Sequence, residues 1–93
     1  MNVSRIRQAV FYRGHVQGVG FRYSTCAIAT GFAVTGYVKN LADGRVEVVA
    51  EGDSAEVARF VKSIEERLGR YIRGTECREE PYQGEFSRFN ITF

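Results

Sequence analysis

The stretch from Asp53 to Gly69 constrains this chain more than any other, because it carries an apolar stripe at helical spacing. Val57, Phe60, Val61, Ile64 and Leu68 fall on one face, while Arg59, Lys62, Glu65 and Glu66 occupy the rest. Asp53 is a natural N-cap, Glu56 three residues on completes a capping box, and Gly69 suits the C′ position. Such a helix is stable only when its stripe is buried against another layer. In a chain of 93 residues that layer has to come from the same domain, residues 1–93.

Alternating segments supply the layer. In residues 5–13, Ile6, Val10 and Tyr12 share one side and Ala9 and Phe11 the other, a strand pattern. Gly14 to Gly20 places three glycines in seven residues, a loop that needs unusual backbone angles. Phe21 to Thr30 reads as a short helix that Gly31 ends. Val34 to Leu41 is a second strand, Asp43-Gly44 a hairpin turn, and Val46 to Glu51 the returning strand. In that strand Val46, Val48 and Ala50 face one way and Glu47 and Glu51 the other. Residues 71–79 are weakly patterned and read as a strand mainly because something must follow the long helix. Phe89, Ile91 and Phe93 alternate in a last strand. The order predicts an α+β fold, a ferredoxin-like βαββαβ sandwich. Its antiparallel sheet would carry two helices on one face and a short final strand.

Charge and cysteines narrow the function. A net charge of +2, with no run of about five or more like charges, gives no footprint for nucleic acid. No stretch of about 18 apolar residues is present, so no membrane span is expected. Met1 to Gly14 carries Arg5, Arg7 and Arg13 and no long apolar run, unlike a signal peptide. Cys26 and Cys77 form neither a disulfide framework nor a CxxC pair, which fits reduced thiols and a cytoplasmic location. Cys26 reads as a candidate exposed thiol and Cys77 as a small buried core residue. His15 reads as a solvated loop residue and Asp43 as a turn residue.

The glycine loop is where chemistry could sit. Backbone N–H groups in such a loop can converge on an anion, and the first amides of the following helix lack intrahelical partners. Both effects favour phosphate. Arg22 lies in the first turn, and its planar guanidinium can grip two phosphate oxygens. A glycine-rich turn with a solvated Arg is an equally good reading from physics alone. The spacing matches neither GxxxxGK[ST] nor GxGxxG.

The run Gly14-His15-Val16-Gln17-Gly18-Val19-Gly20-Phe21-Arg22 resembles the signature of the acylphosphatase family. Gly36-Tyr37-Val38-Lys39-Asn40 followed by Asp43-Gly44-Arg45-Val46-Glu47 resembles its second motif, and Gly84-Glu85-Phe86-Ser87 through Phe93 resembles its ending. The resemblance departs at His15, where the family often has Arg or Lys, at Ala33, and along Arg70 to Gly74. It implies a hydrolase that cleaves the carboxyl–phosphate bond of small acyl phosphates. Arg22 and Asn40 would be the catalytic residues. The substrate phosphate would rest on the backbone of His15, Val16, Gln17, Gly18, Val19 and Gly20 and on the Arg22 side chain, and Asn40 would orient the attacking water. A carboxylate leaves readily, so positioning and charge stabilisation suffice. The sole histidine is His15 and no ligand cluster is evident, so neither metal nor cofactor is expected. Inorganic phosphate would be product and inhibitor, and the enzyme a monomer. An RNA-binding module would need an RNP motif, which is absent. An acyl-phosphate-handling module like that of hydrogenase-maturation carbamoyltransferases commonly has Pro after Phe-Arg, where Tyr23 stands here. A phosphate-binding regulatory domain without turnover would not need Asn40.

Overall fold

The computed structural model describes residues 4–93, so the first three positions of the amino-terminal stretch read above as unlike a signal peptide lie outside the described residues. Its elements are β1 (Arg5–Gly14), α1 (Phe21–Ala29), β2 (Thr35–Asn40), β3 (Val46–Asp53), α2 (Ser54–Leu68), β4 (Ile72–Pro81) and β5 (Phe89–Thr92). The five strands lie in the order β4-β1-β3-β2-β5. The expected ferredoxin-like α+β arrangement is present, with one difference. β1, β2, β3 and β4 pair antiparallel, but β5 joins β2 in parallel register, with Gly36 opposite Phe89 and Val38 opposite Ile91. The chain leaves β4 at one edge, crosses beneath the ends of β1 and β3, and returns along the other edge. A parallel partner needs such a crossover, which no local pattern announces.

The core forms where the even positions of β1 meet the two helices. Val10 lies opposite Val48 and Tyr12 opposite Val46, and these pack with Phe21, Ile28, Val57, Phe60 and Ile64. The Phe60 ring is completely buried, with the rings of Phe89 and Phe32 centred 5.2 and 6.0 Å away. The outer sheet face carries a smaller cluster of Ala9, Phe11 and Val49, against which Tyr37, Leu41 and Phe86 pack.

Glu51 holds the crossover on that outer face. It is 1% exposed, although the alternation of β3 places it on the side read as polar. Its carboxylate accepts the N–H groups of Gln83 (2.8 Å) and Gly84 (3.1 Å), with the Arg7 guanidinium 3.7 Å away. Arg7 also pairs with Glu85 at 2.6 Å and lies 5.3 Å over the Phe86 ring. A buried carboxylate is tolerable only with such donors around it.

Three local expectations are corrected. Asp53 is the N-cap of α2 but makes no side-chain cap bond. Glu56 instead accepts the Ala33 N–H at 2.7 Å and pairs with Arg59, and the Ala33 bond first, then Arg59, hold its carboxyl below the usual range. Tertiary contact thus takes the carboxylate that a capping box would use. Gly69 has φ −58°, so the helix does not end left-handed but tightens into a 3₁₀ turn through Tyr71. Cys77 is exposed, because β4 is an edge strand. Cys26 is half-buried against the core. Burial pushes both thiols up. Labelling of the native protein is expected to modify Cys77 faster than Cys26, and unfolding without reductant to release both thiols. Recovery of an intramolecular disulfide would contradict this.

Candidate active site

Tyr12 of β1 and Asn40 of β2 both lie opposite Val46, on either side of β3. The sheet therefore brings the loop after β1 and the last residue of β2 to one end of the molecule. Apolar residues anchor the loop from within. Val16 is 1% exposed, Val19 packs against the core, and the buried Phe21 ring sits 5.5 Å from that of Tyr12. The Gln17 side chain ties the loop sideways, its Nε2 donating to the carbonyls of Leu41 (2.9 Å) and Arg45 (3.0 Å). With these side chains spent on anchoring, the backbone of the loop is left to face outward.

Gly18 and Gly20 have φ of +79° and +77°, the left-handed region that side-chain-bearing residues rarely adopt. Gly20 is also the N-cap of α1, with no side-chain cap, and no acidic residue occupies the first turn. Ser24 is the first residue whose N–H turns back into the helix, bonding Gly20 O at 3.0 Å. Among the described residues, the amides of Val16, Gln17, Gly18, Val19 and Gly20 have no acceptor. The His15 amide is different. It donates to Tyr71 O at 2.9 Å, so it is committed to the fold, unlike the amides of residues 16–20. The exposed His15 side chain belongs to the loop surface.

Arg22 and Asn40 line the same pocket, of ≈ 110 Å³, together with Val16, Gly18, Gly20, Phe21 and Tyr23. Arg22 is half-buried, and its guanidinium lies 5.1 Å over the Phe93 ring. Asn40 Oδ1 is buried without a hydrogen-bond partner. The Asn40 side chain, the Arg22 side chain and the loop at Val16, Gly18 and Gly20 thus border one pocket. A wider hollow of ≈ 470 Å³ is lined by Arg13, Gly14, Asp43, Gly44 and Arg45. It contains neither Arg22 nor Asn40, and its Arg45 is already paired with Asp43 at 2.8 Å. Two features escaped the sequence reading. The Gln17 side chain acts as a clamp rather than a ligand, and Phe93 lies under Arg22 instead of within the last strand. Neither leaves a local signal, since both depend on residues far apart in the chain.

Residues 8–91 match the family model described as Acylphosphatase. An acylphosphatase of Syntrophobacter fumaroxidans is 45% identical over 89 residues, covering 94% of this chain and 91% of that protein. One from Caldanaerobacter subterraneus subsp. tengcongensis is 45% identical over 80 residues, covering 84% of this chain and 88% of its own. The crystal structure of acylphosphatase from Bacillus subtilis superposes with a TM-score of 0.84 at 30% identity, covering 95% of this chain and 99% of that one. With the glycine loop, Arg22 and Asn40 brought to one pocket, and with this likeness over nearly all of its length, the chain belongs to the acylphosphatase family.

Proposed function

We propose that the amides of Val16 to Gly20 and the Arg22 side chain hold the phosphoryl group of an acyl phosphate while Asn40 orients the water that attacks it. The reaction itself follows from the family: the chain is a hydrolase that splits acyl phosphates into carboxylate and inorganic phosphate. The observation that carries the assignment is the one pocket lined by Arg22, Asn40 and three of the five loop residues, Val16, Gly18 and Gly20.

In this reading the water oxygen forms a bond to phosphorus as the bond from phosphorus to the acyl oxygen breaks. The electron pair leaves with the carboxylate, which needs no proton from the protein. The water proton passes to a phosphate oxygen. Charge on the phosphoryl oxygens is met by the cradle, the positive end of α1 and the Arg22 guanidinium, all in place before the reaction begins. The Asn40 amide, with both donor and acceptor, holds the water in line.

Among the described residues no group of three or more His, Cys, Asp and Glu stands close enough to hold a metal ion. The residues assigned here supply the positive charge directly, so turnover is expected without a divalent ion. Hydrolysis of acetyl or benzoyl phosphate at neutral pH should be unchanged by a chelator. Activity abolished by the chelator and restored by a divalent ion would overturn the mechanism. The same reading makes inorganic phosphate a competitive inhibitor, because it satisfies the same donors. We read the enzyme as a monomer in a reducing, cytoplasmic setting, which its two unpaired thiols support.

A further inference from the structure

The pocket accounts for the phosphoryl group but leaves the acyl group uncovered. With the phosphoryl group on the loop and Arg22, the rest of the substrate would lie at the rim of the pocket, where Tyr23 stands beside Arg22. The rim is aromatic. Among the described residues only Tyr23, Tyr82 and Phe93 are large hydrophobic side chains left exposed. Two of these three border Arg22. Tyr23 is the next residue in α1 and lines the pocket while 68% exposed, and the Phe93 ring carries the Arg22 guanidinium on its face. The Phe93 ring is engaged by Arg22, and the Tyr23 ring has no aromatic or cationic partner. An aromatic face without a partner at the mouth of a polar site is a stacking platform.

We infer that Tyr23 is a specificity-determining residue, whose ring receives the acyl portion of the substrate and favours acyl phosphates with an aromatic or extended apolar body over acetyl phosphate. The inference rests on the phosphate assignment above. It adds a contact made to the part of the substrate that leaves. Because that contact forms on binding and persists in the transition state, it acts on affinity and KM rather than on kcat.

The test uses phenacylphosphonate and acetonylphosphonate, in which a methylene replaces the bridging oxygen of benzoyl and acetyl phosphate so that neither is hydrolysed. Calorimetric titration of the unsubstituted chain should give about 3- to 10-fold tighter binding of the phenacyl compound. Tyr23→Ala should abolish that preference and leave affinity for inorganic phosphate unchanged, while Tyr23→Phe, which keeps the ring, should retain it. Equal affinity of the unsubstituted chain for the two phosphonates overturns the proposal. So does a Tyr23→Ala protein that keeps the preference, or one that loses inorganic phosphate as well, which would place Tyr23 in the cradle. If the unsubstituted chain does not bind inorganic phosphate either, the phosphate assignment itself fails, and this is distinguishable from a failed aromatic preference. Since Tyr23 is an exposed side chain, its truncation leaves the core intact.

Discussion

Replacing Arg22 with glutamine is expected to lower kcat/KM for benzoyl phosphate by about 10³–10⁵, the range that a single arginine contributes in phosphoryl transfer. Arg22 sits in the first turn of α1, half-buried, lining the pocket with the cradle. Its guanidinium offers a charge and a two-point grip, and under the proposed assignment both would act on the phosphate before and during the reaction. Glutamine keeps part of the length and loses both. Phosphate affinity should therefore fall together with turnover. Amide shifts on titration with inorganic phosphate, which in the unsubstituted chain should concentrate on Val16 to Gly20, should be largely lost. Shifts confined to α2 in the unsubstituted chain would contradict the cradle. An Arg22→Gln protein that binds phosphate normally would contradict the grip.

Asn40→Ala should fail in another way, with kcat reduced by about 10²–10³ and phosphate affinity nearly unchanged. The side chain is assigned to the water, whose position matters as the transition state forms. Its Oδ1 is buried without a partner, which makes a purely structural role for that oxygen unrewarding to the fold. Alanine removes the amide and leaves the strand, whose pairing with Val46 is through the backbone. Circular dichroism and thermal melting establish folding first. A well-folded Asn40→Ala protein that retains most of its kcat would remove the water assignment. One that loses phosphate as severely as Arg22→Gln would move Asn40 into the anion site.

The sequence by itself determined whatever depends on neighbours along the chain. Alternation at Val10 and Tyr12, and at Val46, Val48 and Ala50, predicted which strand face meets the helices. The stripe from Val57 to Leu68 predicted α2. Gly18 and Gly20 marked the loop of unusual backbone angles after β1, because left-handed backbone is a property of the single residue. Only the tertiary structure decided which distant groups meet. It spent the His15 amide on Tyr71, drew Glu56 to Ala33 in place of a capping box, and used the Gln17 side chain to fasten the loop to the β2–β3 turn. It buried Glu51 among amides supplied by Gln83 and Gly84, and it set β5 parallel to β2, which carries Phe93 to Arg22. These outcomes have one physical reason. Each of these groups takes the partner that packing brings within reach, and that partner lies many residues away, where no periodicity in the sequence can record it.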